Sequence, residues 1–366
     1  MYRNTWFRAV LLGLLVAVLG VPPSTLRALA QQQGPQTPPP AQQPTAPPVP
    51  EGKPQAAQQQ KAPPPQVTIT AESQLVNIDA NVTDAEGNII TGLKRENFRV
   101  LDNGQPQQIT NFAPTDAPIT IVILMEFSKL FYSLYSYLGK EFAYNFLGHL
   151  KPQDWVAFKT FDLKTTVQVD FTQDKREIQQ SIATLYFPDF TEANLFDAII
   201  ETVDQMAGVK GRRSILVIAS GYDTFSKHTL DQTYKRLKEA DETIFCLGMA
   251  EYFQVRSPRT GGTSFVQSEN QMRTFADMTG GFAWFPRFEG EMPSIFNSVI
   301  AFLRNQYTIG FAPNTPNDGK YHKLKVEVLD DQGNPLMVAN KKGKLKPVVV
   351  YARQGYTPIK SAVVGD

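Results

Sequence analysis

The chain has 366 residues, with 36 Lys or Arg against 35 Asp or Glu and a formal net charge of +1. That balance excludes the broad basic footprint of a nucleic-acid binder and any strong electrostatic hold on an anionic membrane. One cysteine, Cys246, excludes an internal disulfide, so stability must come from the core, and no His, Cys, Asp and Glu spacing suits zinc.

Residues 1–30 read as a secretory signal peptide. Arg3 and Arg8 give a positive start, Ala9 to Val21 is an apolar run too short to span a bilayer comfortably, and Ala28-Leu29-Ala30 is a small-x-small cleavage site. Export to a periplasmic, cell-surface or extracellular place is expected, with membrane contact only if this segment stays uncleaved. Residues 31–65, almost all Gln, Pro and Ala, have too little apolar surface to offset chain entropy and predict a disordered tether.

Residues 66–115 read as an N-terminal β segment. Val76, Ile78, Ala80 and Val82 alternate with polar residues, while Asp84 to Asn88 and Asp102-Asn103-Gly104 read as turns. So short a segment buries too little surface alone and needs a partner sheet. Residues 116–311 alternate strand and helix signals. Ile119 to Ile123 are all β-branched, which predicts a strand buried on both faces of a parallel sheet. Further strands are expected at Trp155 to Phe161, Thr165 to Phe171, Ser214 to Ala219, Thr243 to Leu247 and Phe282 to Phe285, and Tyr307 to Phe311 closes the series. Leu134, Leu138, Phe142, Phe146, Leu147 and Leu150 share a helical face, and Asp174 and Asn194 read as helix caps. The fold class is α/β, a doubly wound domain with helices on both faces. Glu251 to Asn270 lacks helical periodicity and reads as a polar surface excursion.

Residues 312–366 return to β patterning, with Leu324, Val326 and Val328 on one face and the basic run Lys341 to Lys346 at a solvated hairpin tip. The two flanking β segments are expected to pair into one smaller β domain around the α/β insertion.

With its strand, loop and helix features in this order, the chain resembles the von Willebrand factor type A domains, and among them the secreted bacterial group with a β segment before the A domain. The features are Ile119 to Met125 followed by Glu126 and Ser128, Leu195-Phe196-Asp197-Ala198, Ile215 to Ala219 with Gly221 and Asp223-Thr224, and Thr279-Gly280-Gly281. The lead-in Val82 to Gly87 with Gly92-Leu93 and Glu96-Asn97-Phe98, and the tail Arg353-Gln354-Gly355-Tyr356, belong to the same pattern. The resemblance implies a Rossmann-like A domain and an adhesion site for a divalent cation built from Asp-x-Ser-x-Ser, a Thr and a final Asp. Here Glu126 stands at the first Asp, Ser128 is kept, Lys129 or Leu130 stands at the second Ser, Ala193 at the Thr with Thr191 nearby, and Ser220 at the final Asp. Loss of a carboxylate and gain of a lysine oppose a divalent cation, which needs hard oxygen ligands. A degenerate site is implied, with no cofactor expected. The alternative keeps Mg²⁺, or Mn²⁺ or Ca²⁺, on Glu126, Ser128, Thr191, Ser220 and Asp223.

Aromatic residues crowd the same loops. Phe127, Phe131 and Tyr132 follow the first strand with Tyr135 and Tyr137, while Tyr186, Phe187 and Phe190 occupy the second loop. Those that are not core would make, with Lys129, a surface for a protein partner. Ser128, His228 and Asp223 lie on scattered loops without a nucleophile-elbow pattern, so no catalysis is expected. The sequence thus points to an exported, non-enzymatic binding protein that works without a metal. A cation-dependent adhesion protein and a structural subunit of a cell-envelope assembly are the alternatives.

Overall fold

The computed structural model describes residues 75–113, 117–132, 145–185, 187–256, 265–314 and 318–358. The segments read as a signal peptide and a tether, together with Tyr135, Tyr137, Tyr186 and the helical face expected at Leu134 to Phe142, lie outside them. The strand β5 (Ile119–Glu126) forms because its β-branched run suits a site enclosed on both faces, and every residue in it but Thr120 is buried. It is flanked by parallel β6 (Trp155–Phe161) and β8 (Arg212–Ala219), and beyond them lie β7 (Thr165–Thr172), β9 (Thr243–Gly248) and β10 (Ala283–Trp284). The sheet order is β7-β6-β5-β8-β9-β10, with only β7 antiparallel. Counted along the chain, this is the doubly wound order 3-2-1-4-5-6, whose direction reverses between β5 and β8.

Alternate residues of β5 feed two cores. Ile119, Ile121, Ile123 and Met125 meet Ile178 and Ile182 of α1 (Lys175–Thr184) and Phe296 and Val299 of α6 (Met292–Arg304). Val122 and Leu124 meet Leu195 and Ile199 of α2 (Leu195–Met206), Leu237 of α3 (Leu230–Glu239) and Met272 and Phe275 of α5 (Phe265–Thr279). Asp174 caps α1 as expected, its side chain accepting from the Arg176 amide. The expectation for Glu251 to Asn270 is corrected in part. Its start lies in a further helix, α4 (Ala250–Arg256), whose Tyr252 and Phe253 are buried in the first core, and its end is the first turns of α5. The polar residues around them hid the period because Tyr252 and Phe253 are adjacent in sequence and mark no helical repeat.

The described segments before and after the α/β layer build a β sandwich. β1 (Val76–Thr83) pairs with β11 (Tyr307–Phe311) and β15 (Val349–Ala352), and β11 with β4 (Ile109–Ala113). The second sheet joins β12 (His322–Val328) to β2 (Phe98–Asp102) and β16 (Gly355–Tyr356), and β2 to β3 (Gln105–Gln107). Ile78, Val82, Val100, Ile309, Phe311 and Val326 fill the space between. Tyr307 to Phe311 therefore does not close the α/β sheet as the sequence suggested; its backbone edges are taken by β1 and β4. At the β2–β3 hairpin Asn103 (φ 48°) and Gly104 (φ 84°) adopt the left-handed conformations that a two-residue turn requires. The basic run 341–346 lies at and beside the exposed tip of the hairpin β13 (Met337–Ala339) to β14 (Leu345–Pro347).

Candidate functional site

Glu126 ends β5 and Ser220 follows β8, so both sit at the carboxyl ends of the two strands where the sheet reverses, the place open α/β sheets reserve for a ligand crevice. The structure brings Glu126, Ser128 and Ser220 together. Glu126 Oε1 accepts from the Ser128 hydroxyl at 2.6 Å, and Oε2 accepts from the Ser220 amide at 2.7 Å. All three are essentially sealed, with exposures of 1%, 0% and 1%. Ser128 also caps the helical turn 129–132, accepting the Phe131 amide at its hydroxyl and the Tyr132 amide at its carbonyl. The Ser220 hydroxyl accepts from the Tyr222 amide at 3.2 Å. Lys129 is exposed, and its amide donates to the Phe190 carbonyl, joining the first loop to the second.

Thr191 and Asp223 are not among these bonds. Thr191 is exposed and its amide donates to the Glu192 carboxylate. Asp223 caps α2 from a different loop: Oδ1 accepts from the Phe196 amide at 3.1 Å and the Ser226 hydroxyl at 2.6 Å, and Ser226 in turn accepts from the Asp197 amide. Asn194 stands at the expected cap position, but its side chain makes no capping bond. Burial above all, with the nearby Asp197 charge, pushes the Asp223 carboxyl above the usual range against its hydrogen bonds to the Ser226 hydroxyl and to the Phe196 and Ser226 amides. Asp197 is the reverse case. Burial would raise it, but the Lys227 and His228 amides and the His228 ring at 2.7 Å outweigh that and hold it low. Ser128, His228 and Asp223 are thus each committed to a different partner, and no nucleophile–base pair forms among them.

The aromatic candidates divide. Phe131 is fully buried against Phe253, with ring centroids 5.7 Å apart, and is core. Phe127 is half-buried and packs against the same cluster. Phe187 and Phe190 remain 74% and 41% exposed, and the Tyr132 ring lies tilted against Phe187 with centroids 4.6 Å apart. The sequence reading missed Phe225, which is 55% exposed on the loop after β8. The amides of Thr224 and Phe225 donate to the Ala193 carbonyl, which holds this loop against the second one. Its signal was faint: one aromatic among Ser, Thr and Asp in a stretch that read only as a turn.

The fold and crevice define a doubly wound α/β domain whose three switch-point loops form one face, carried on a β sandwich. No family model matches the sequence, and no curated protein matches it. Among solved structures the chain is similar to BatB of Bacteroides thetaiotaomicron, at 14% identity over 50% of this chain and 98% of that one, with a TM-score of 0.38. It is similar also to the vWF domain of the pilus tip protein Mfa5 of Porphyromonas gingivalis (10% identity, 51% and 95% covered, TM-score 0.39). A third is the von Willebrand factor type A protein of Catenulispora acidiphila (11%, 78% and 75%, TM-score 0.40). Likeness at this level names no ligand and no partner for this chain.

Proposed function

We propose that the chain is an exported, non-enzymatic binding module that engages a protein partner with the loop face of its α/β layer and needs no divalent cation there. The observation that carries this reading is the closed Glu126 carboxylate, with one oxygen on the Ser128 hydroxyl and the other on the Ser220 amide. A divalent cation needs several hard oxygens and an open position. Here Lys129 or Leu130, neither with an oxygen to offer from its side chain, stands where a second serine would, Thr191 turns to Glu192, and Asp223 is spent on α2, so the residues do not fit such an ion. Around that plugged crevice Phe187, Phe190, Phe225 and Tyr132 supply apolar area of the kind that anchors protein interfaces. Export rests on the pattern of residues 1–30.

Thermal unfolding of the full chain tests both halves of the proposal. Excess Mg²⁺, Mn²⁺ or Ca²⁺ is expected to leave the midpoint where chelator leaves it. An ion bound only to the folded state at ~100 times its Kd would add about 2.7 kcal/mol, and a shift of that kind would restore the cation-dependent alternative. Replacing Phe187 and Phe190 with Ser is expected to move the midpoint by no more than the ~0.5 kcal/mol of a surface change. A large loss would make these rings core and remove the interface.

A further inference from the structure

After β12 the chain doubles back into a two-stranded ribbon that contains β13 and β14. Met337 lies opposite Pro347 and Ala339 opposite Leu345, and the Val348 amide donates to the Leu336 carbonyl at 3.2 Å, which continues that register toward the base. Leu336 and Val348 face inward and pack on the sandwich core. The alternate residues face outward as three cross-strand pairs: Pro335 with Val349, Met337 with Pro347, and Ala339 with Leu345. All six are apolar and all are exposed, Leu345 at 60%. A ribbon of two strands gains nothing from an apolar face in water, so such a face marks an interface.

The strand 335–339 lies between two turns of one design. In 330–334 the Asp330 carboxylate accepts the Gln332 and Asn334 amides and Gly333 takes φ +82°. In 340–344 the Asn340 side chain accepts the Lys342 and Lys344 amides and Gly343 takes φ +74°. Their charges are opposite: Asp330 and Asp331 on the first, Lys341, Lys342 and Lys344 on the second. Among the described residues none of these five charges forms an ion pair. Met337 stands midway between the two turns, so the ribbon is acidic at one end, basic at the other and apolar between.

We propose that this face binds a second copy of the chain, the two ribbons stacked face to face about a two-fold axis that crosses the strands at Met337. The rotation reverses the strand direction, so the acidic turn of each copy lies on the lysine turn of the other, and one patch serves both sides. Apolar pairs then fill the centre and opposite charges the rim. An anionic lipid surface would attract the lysine turn but repel Asp330 and Asp331, and a neutral apolar partner would leave both turns unmatched. The patch is smaller than the ~800 Å² per partner of a standard interface, so the dimer is weak and loosened by salt. The proposal uses no residue of the loop face and does not depend on the protein-binding reading.

The test is sedimentation velocity of the full chain at low salt, over a hundredfold range of concentration that reaches the millimolar region. A shift from monomer to dimer is expected, reversed by high salt. Leu345→Glu puts a carboxylate on the apolar face at a position exposed in the single chain, so association at least tenfold weaker with an unchanged unfolding midpoint is expected. Asp331→Lys and Lys342→Glu are each expected to weaken association at least threefold, and the two together, which leave the net charge as it was, to restore it. A monomer at every concentration, association untouched by Leu345→Glu, or a charge swap that fails to restore it would each overturn the proposal. Phe187→Ser is expected to leave the dimer intact, and its loss there would place the contact on the loop face and overturn the assignment. Binding to phosphatidylglycerol vesicles that Leu345→Glu abolishes would give the face to lipid and overturn it as well.

Discussion

Asp154 shows how one residue can hold several layers. It is fully buried before β6 and accepts from the Ile119 amide at 3.1 Å, the Lys151 amide at 2.6 Å and two guanidinium nitrogens of Arg304 at the end of α6. Burial alone would raise its carboxyl, but the Arg304 and amide bonds win and hold it below its ordinary value of 3.8. Because the folded value is depressed, the stabilisation is present above the ordinary value and disappears as pH falls through the folded one. Asp154→Asn leaves Arg304 without its counterion and, since each oxygen accepts one backbone amide and one guanidinium nitrogen, two donors without an acceptor. A loss of about 3–5 kcal/mol is expected in denaturant unfolding at neutral pH, shrinking in acid. An unchanged midpoint would assign the ion pair no net role. At this scale the sequence was readable where a residue acts on its own neighbours, as Asp174 does. It was opaque where the partner is remote, as with Asp223, which caps a helix 27 positions away.

At the scale of elements, the Thr279-Gly280-Gly281 motif ends one helix and starts one strand. Gly280 takes φ +82°, the left-handed conformation that stops α5, and the Gly281 amide reaches back to the Ala276 carbonyl at 2.9 Å. The sequence reading of a helix stop covers that much. It does not cover the second constraint, which is room. A Cβ on Gly281 would run into the Ile244 carbonyl of β9, and one on Gly280 would strike the backbone of Ala352 and Arg353. Gly281→Ala must therefore push β10 away from β9 or the helix away from the sheet. A destabilisation of at least about 1–3 kcal/mol is expected by thermal unfolding, and tolerance of the methyl would show that the contact yields. The tail motif meets the same seam: Arg353 bonds to Asp241, and the Gln354 amide donates to the Met278 carbonyl. Segments that are distant in the chain thus share one joint.

For the whole molecule, the β sandwich is closed by groups from both ends. His322 of β12 is 4% exposed; its Nδ1 lies 3.0 Å from Asp102 Oδ1 on β2 and its Nε2 3.4 Å from Asp318, while the Tyr356 hydroxyl of β16 donates to Asp102 at 2.9 Å. Burial would lower the imidazole, but the hydrogen bonds and charges of Asp102 and Asp318 prevail and raise it above its ordinary 6.5. A raised folded value means that the protonated ring favours the folded chain. Its contribution is full below the ordinary histidine value and is lost as pH rises through the folded one. The unfolding midpoint is expected to fall as pH rises above the ordinary histidine value and through the raised folded one, and His322→Gln to flatten that slope. A slope that survives the substitution would place its origin elsewhere.

The sequence by itself determined the doubly wound layer, because the β-branched run Ile119 to Ile123 and the apolar faces of α1, α2 and α6 each declare their environment locally. It determined as well the turns at Asp84 and Asp102-Asn103-Gly104, where side chain and glycine act within four residues. Only the tertiary structure decided that Tyr307 to Phe311 belongs to the sandwich, because a buried strand reads the same in either sheet and its partners lie some 200 positions away. It alone decided which aromatics face solvent, since Phe131 and Phe187 are the same side chain until the rest of the core has taken one and left the other. The plugged Glu126 and the cap that Asp223 makes on α2 are likewise matters of which loop comes to lie against which. That choice is made by packing over the whole chain and by no residue alone.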